Sequence, residues 1–102
     1  MTRTMTKTRP FDIAEWLTDD EAVAVYLSEA LETGDHAYVA HALGQVARAR
    51  GMAEIARRSG VKREALYRAL STAGNPGFAT ILKVIKALDL KLSAAPAGEA
   101  GR

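Results

Sequence analysis

The residues best suited to chemistry lie in and just after the run AEIARRSGVKREALYRAL, residues 53–70. Lys62, Arg63, Glu64, Tyr67, Arg68 and Ser71 are spaced so that a helix would carry them mostly on its outer face. A planar guanidinium matches a phosphate, or the acceptor edge of a guanine, with two parallel hydrogen bonds. A lysine reaches a phosphate as a point charge, and tyrosine, serine and glutamate add hydrogen-bonding groups beside it. From residue 48 to residue 68 seven basic residues face only two acidic ones, Glu54 and Glu64. The chemistry on offer is recognition of a polyanion. Catalysis finds no comparable support. His36 and His41 are five residues apart, about 140° around a helix, whereas two metal ligands on one face sit three or four apart. No nucleophile or converging polar group accompanies them, and there is no cysteine for a thiolate site. The expectation is a protein that is not an enzyme and needs neither cofactor nor metal.

Such side chains need a helix that projects from a core. Residues 52–59 read as a helix of barely two turns with Ile55 and Ala56 inward. Gly60 can take the left-handed conformation that stops it, and Val61 returns the chain to the core. A second helix over residues 62–71 turns Leu66, Ala69 and Leu70 inward and leaves the six polar residues outward. The pattern predicts a helix-turn-helix: small Ala56 lets the two helices approach, and the second protrudes far enough to enter a major groove of about 12 Å.

The remaining elements form its support. PFDIAEWL predicts a helical turn capped by Asp12 and anchored by Trp16 and Leu17, after a basic arm over residues 1–10 expected to be disordered. TDDEAVAVYLSEALETGD predicts a helix capped by Thr18 or Asp19, with a stripe at Val23, Tyr26, Leu27, Ala30 and Leu31 and a stop at Gly34. Asp35 caps the next, whose stripe is Tyr38, Val39, Ala42, Leu43 and Val46 and whose end lies near Gly51. After the turn-rich STAGNPG, a closing helix presents Phe78, Ile81, Leu82, Ile85 and Leu88. Leu90, Leu92 and Ala94 alternate with Lys91 and Ser93, the pattern of a short strand, and residues 95–102 read as a flexible tail. This is one all-α domain over residues 11–94, a helical bundle with an N-terminal helical extension and a short C-terminal strand.

Charge is distributed unevenly. The 102-residue chain carries a net +2, yet residues 11–47 contain no Lys or Arg against eight acidic residues, and residues 48–91 contain ten basic against three acidic. Asymmetry of this kind suggests one surface for a polyanion and another for something basic. MTRTMTKTRP lacks the apolar run of a signal peptide, and no later stretch approaches the roughly 20 apolar residues needed to span a bilayer. With no cysteine, the expectation is a soluble cytoplasmic protein.

The run from GQVARARGMAEIARRSGV through REALYRALSTAGNPGFATILKVIKALDLKLS, with the upstream FDIAEWL, DDEAVAVYLSEALETGD and AHALG, resembles the addiction-module antidote proteins: HigA-type antitoxins with a lambda-repressor-like, Xre-class helix-turn-helix domain. The likeness covers nearly the whole chain, and NPGFATILKVIKALDL is its most specific part. It implies a repressor of its own operon that also neutralises a RelE/ParE-superfamily toxin, a basic protein. Relatives of this kind carry serine where Lys62 stands, as N-cap of the recognition helix. Losing that cap costs about 1 kcal/mol, while a lysine there can reach a phosphate.

On this reading double-stranded operator DNA meets Lys62, Arg63, Glu64, Tyr67, Arg68 and Ser71. The toxin meets Asp19, Asp20, Glu21, Glu29 and Glu32, and Trp16 serves either as an apolar anchor for it or as core. One recognition helix reads only a few base pairs, so a homodimer on an inverted repeat is expected, with Leu90 and Leu92 of the unpaired strand as its contact. Three other readings stay open: an Xre-type regulator with no toxin partner, an interaction module whose basic face is incidental, and an RNA-binding domain, which lacks a visible aromatic stacking platform.

Overall fold

The structure, a computed structural model, describes residues 17, 19–71 and 73–98. Five helices follow one another: α1 (Asp20–Glu32), α2 (His36–Arg50), α3 (Met52–Ser59), α4 (Arg63–Ala69) and α5 (Phe78–Ala87). The basic arm, Asp12, Trp16 and the helical turn expected around them lie outside the described residues, as do residues 99–102. Leu17, at their edge, is buried in the core.

Local chemistry sets the helix ends. Asp19, not Thr18, caps α1: its Oδ1 accepts from the Ala22 amide at 2.7 Å. The turn to α2 is closed by Thr33, whose hydroxyl donates to the Ala30 carbonyl at 2.6 Å and accepts from the Asp35 amide. Asp35 in turn accepts from the amides of Ala37 and Tyr38 and caps α2. Asp20, at the start of α1, holds the Arg50 guanidinium at the end of α2 at 2.8 Å, so the two helices run antiparallel.

The core is assembled around α2, on which Ala40, Ala42, Leu43, Gly44, Val46 and Ala47 are all buried. Small residues on several faces of one helix let neighbours approach from different sides. Val23, Leu27 and Ala30 of α1, Ile55 of α3, Leu66 and Leu70 around α4, and Val84, Ile85 and Leu88 around α5 complete the cluster. A close approach between α2 and the segment after α4 occurs at Gly44. A Cβ there would lie 2.7 Å from the Leu70 carbonyl oxygen, inside van der Waals contact, so only glycine lets α2 touch the C-terminal end of α4.

Parts of the expected stripes turn out differently. Leu31 and Tyr38 are exposed, each lying at the edge of its helix's inward arc. On α5 the buried arc is Val84, Ile85, Ala87 and Leu88 with Ile81 half-buried, while Phe78 and Leu82 are exposed. Val84 was available at the same spacing, and its 3–4 periodicity with Ile81 and Leu88 wins because that face meets α3. The helix expected over residues 62–71 is shorter, with Lys62 as N-cap, Leu70 as C-cap and Ser71 beyond it.

No strand occurs among the described residues, and residues 90–94 are not one. The physical reason lies at the end of α5. Asp89 adopts a left-handed backbone, φ 62°, its amide bonds to the Lys86 carbonyl, and the Leu90 amide bonds back to the Ile85 carbonyl at 3.1 Å. This is a Schellman close with aspartate in the usual glycine position. It commits the Leu90 amide to the helix and presses Leu90 onto the core, so neither is left for a strand ladder.

Candidate functional site

α3, a three-residue turn and α4 form the projecting unit. α3 ends at Gly60, whose φ of 78° is left-handed and whose amide bonds to the Ala56 carbonyl at 2.9 Å. Ser59 braces the turn, donating to the Ala56 carbonyl and accepting from the Val61 amide. Val61 packs on the core and α4 begins at Arg63, with Leu66 fully buried beneath it. Ile55 and Leu66, both buried, therefore anchor the two short helices to the core.

All six expected residues are placed on or at the end of this unit. Lys62, Arg63, Glu64, Tyr67 and Arg68 are exposed, and Ser71 is half-buried with its hydroxyl donating to the Arg68 carbonyl. The Arg63 guanidinium lies 5.7 Å from the centre of the Tyr67 ring, one turn on, which pre-orders it without neutralising it. Lys62 caps α4 with no side-chain hydrogen bond, so the first amides of that helix stay open.

Ion pairing sorts the seven basic residues of 48–68. Arg50 is held by Asp20, Arg57 by Glu54 on its own helix, and Arg58 by Asp89 at 3.2 Å. Lys62, Arg63, Arg68 and Arg48 have no acidic partner among the described residues. Of these seven, the unpaired ones lie on α4 and beside it, since Arg48 lies one turn beyond Gly44 where α2 meets the end of α4. Arg48 is absent from the sequence-based site because only that close approach brings it there. Lys83 and Lys86 were missed too: they line a shallow depression with Arg58 and Ser59 between α3 and α5.

The acidic residues of α1 divide into two groups. Asp19 and Asp20 have structural work, as cap and as partner of Arg50. Glu21, Glu29 and Glu32 are exposed without ion-pair partners among the described residues, and they surround Val25, which is 54% exposed. Val25 was not singled out in sequence because it sits outside the apolar stripe. On the other flank of α2, His36 is exposed and His41 half-buried near Tyr38, with ring centres 6.5 Å apart. Burial, and then nearby Tyr38, holds the Tyr26 phenol above its ordinary range, so it stays protonated. No group of His, Cys, Asp or Glu able to hold a metal occurs among the described residues, and no described helix is long and apolar enough to cross a membrane.

Residues 7–96 match the model of a protein family described as "Probable addiction module antidote protein". The chain belongs to this family. An uncharacterized protein of Haemophilus influenzae is 51% identical over 83 residues, covering 81% of this chain and 86% of the relative. No solved structure matches. An antidote of an addiction module acts against a toxin, so the family brings a toxin partner into the account. The antidote fold described above offers two chemically opposite surfaces for that role, the unpaired basic side around α4 and the acidic outer side of α1.

Proposed function

We propose that this antidote protein is an antitoxin of the HigA type that binds operator DNA through α3 and α4, represses its own operon and neutralises a RelE/ParE-superfamily toxin. The observation that carries the DNA half is the pairing pattern: Arg50, Arg57 and Arg58 are held by carboxylates, while Lys62, Arg63 and Arg68 at the projecting helix have no acidic partner among the described residues. In this reading α3–turn–α4 is a lambda-repressor-like, Xre-class helix-turn-helix. Arg63 and Arg68 reach base edges or phosphates, Lys62 reaches a phosphate, and Glu64, Tyr67 and Ser71 complete the surface. The protein acts as a homodimer in the cytoplasm, without enzymatic activity of its own.

The toxin half rests on family membership and on charge. Toxins of that superfamily are basic by resemblance, and Glu21, Glu29 and Glu32 around exposed Val25 offer an acidic rim with an apolar centre. Asp19 and Asp20 contribute field rather than contacts, being engaged already. The family's description favours this reading over a regulator with no toxin partner.

The test is titration of the full chain against a duplex of its own promoter at several salt concentrations. Arg63→Ala and Arg68→Ala should each weaken binding by about 1–3 kcal/mol if the lost contact is to a base edge. Glu21→Gln, Glu29→Gln and Glu32→Gln together should leave DNA binding intact while slowing association with the toxin and flattening its salt dependence. Unchanged duplex affinity in the folded double arginine variant overturns the DNA assignment.

A further inference from the structure

Leu31 and Leu92 are large, apolar and exposed, at 43% and 37%, and they belong to one feature. Both line a shallow groove between α1 and the chain that follows the Schellman close. Ala24, Ser28 and Leu31 form its α1 wall at i, i+4 and i+7, and Leu90, Lys91 and Leu92 form the opposite wall. Its floor is Leu27 and Ile85, both members of the core. The Leu90 amide bond to the Ile85 carbonyl holds the second wall against α5. The α1 wall extends about 10 Å along the helix axis, two turns of a helix laid beside it. Charge lines the outer edge of that wall. Glu21 precedes Ala24 by three residues and Glu32 follows Ser28 by four, so both carboxylates lie beside the groove, with Val25 between them. The far wall carries Lys91 instead.

We infer that this groove receives an amphipathic helix of the toxin, which inserts aliphatic residues between Leu31 and Leu92 and sets Arg or Lys side chains along the edge that carries Glu21 and Glu32. The inference rests on the toxin-binding reading and extends it with an apolar slot, a second wall at residues 90–92 and an orientation. Charge complementarity selects the occupant. Nucleic acid is repelled by the carboxylate edge. A second copy of the chain seated here across a twofold axis would bring that edge against itself. A basic helix is drawn to the α1 edge, and Lys91 disfavours cations on its other side, so it enters in one orientation. Helices that lie in apolar grooves do so through anchors three and four residues apart, the spacing the α1 wall itself presents.

The two parts of this surface act on different rates. Carboxylates steer a basic partner and set how fast it arrives, whereas apolar contacts, once made, set how slowly it leaves. The test follows association and dissociation of the full chain with the toxin of its own operon, at low and high salt. Leu31→Glu with Leu92→Glu changes two surface positions, so helicity and thermal unfolding should match the parent. Its dissociation should quicken about 100-fold, roughly tenfold per leucine. Its association should be no slower, because the added charges are negative and the partner is basic. Replacing Glu21, Glu29 and Glu32 by glutamine should do the reverse, slowing association most. Tyr38→Glu, at an equally exposed position on α2, should leave both rates unchanged. Parent-like dissociation in the folded double-leucine variant overturns the groove and leaves toxin binding standing. A parent chain that forms no complex overturns both.

A second measurement does not depend on disruptive variants. The chain has no cysteine, so Leu92→Cys and Tyr38→Cys each introduce a single thiol. Alkylation by iodoacetamide, read on this chain by mass spectrometry, should slow at position 92 when the toxin is bound and stay the same at position 38. A thiol at 92 that reacts as fast in the complex as in the free chain overturns the proposal.

Discussion

Replacing Gly44 by alanine tests the contact that sets α4 against the rest of the fold. The methyl would sit 2.7 Å from the Leu70 carbonyl oxygen, 3.4 Å from the Leu70 Cβ and 3.2 Å from the Arg48 guanidinium. The arginine tip can swing away, but the carbonyl belongs to the C-cap of α4 and moves only if the helix end moves. Forcing an extra methyl into a packed contact costs about 1–3 kcal/mol. Against this, alanine in the middle of α2 gains about 1 kcal/mol of helix propensity over glycine. The clash is with backbone and outweighs that gain, leaving a net loss of up to about 2 kcal/mol, which for a domain of this size lowers Tm by as much as roughly 15 °C. Thermal and urea unfolding followed by circular dichroism measure it. Promoter affinity should fall further than the lost stability explains, because the displaced element carries Arg63, Tyr67 and Arg68. A Gly44→Ala variant as stable as the parent, with unchanged duplex affinity, would show that α2 and α4 do not meet this closely.

Substitutions at two further positions separate local chemistry from function. Lys62 has the extended backbone of an N-cap, φ −61° and ψ 144°, but no side-chain bond to the open amides; Lys62→Ser should therefore raise unfolding free energy by about 0.5–1 kcal/mol in urea titration while weakening duplex binding and reducing its salt slope by about 0.9. A gain in stability with no change in salt slope would remove Lys62 from the DNA contacts. Asp89 combines a left-handed backbone with an exposed pair to Arg58, whose side chain is 39% exposed against 64% for Asp89. Such a pair contributes at most about 1 kcal/mol, so Asp89→Gly should be close to neutral, whereas Asp89→Ala should be less stable than Asp89→Gly by about 1 kcal/mol. Equal unfolding midpoints for the two would contradict the Schellman close.

Caps and breaks were legible because each is a local event. Asp35, Gly60 and the limits of α3 over residues 52–59 follow from residue types that act within three or four positions of themselves. The burial of Leu43, Val46, Ile55 and Leu66 was equally legible, since 3–4 periodicity forces an inward face. Which flank of that face finds a neighbour is a tertiary fact. On α5 the sequence offers Phe78 and Leu82 as readily as Val84 and Ala87, and only the packing of α3 decides between them. The alternation at residues 90–94 misled for the same reason: period two describes side chains, whereas the Leu90 amide was already committed to Ile85. The candidate site was legible as a set of residues. What periodicity could not supply was its charge, because that depends on Asp20, Glu54 and Asp89 removing Arg50, Arg57 and Arg58 from the account, and two of those partners are thirty or more residues away.

That redistribution matters for how the molecule can be taken apart by salt. The three ion pairs are exposed to solvent on at least one partner, and pairs of that kind contribute little to stability and are screened within about 10 Å at 0.1 M salt. The fold rests instead on a dry cluster of Leu, Val, Ile and Ala and on caps whose hydrogen bonds are short-range. None of the core residues is charged or polar among the described residues. Raising ionic strength should thus leave the helices and the apolar groove between α1 and residues 90–92 intact while weakening whatever the unpaired charges do. Lys62, Arg63, Arg68 and Arg48 lose their attraction to a polyanion as counterion release becomes less favourable, and Glu21, Glu29 and Glu32 lose their attraction to a basic protein. Salt therefore separates the two electrostatic surfaces from the apolar groove, and dependence on it identifies which of the three a given association uses.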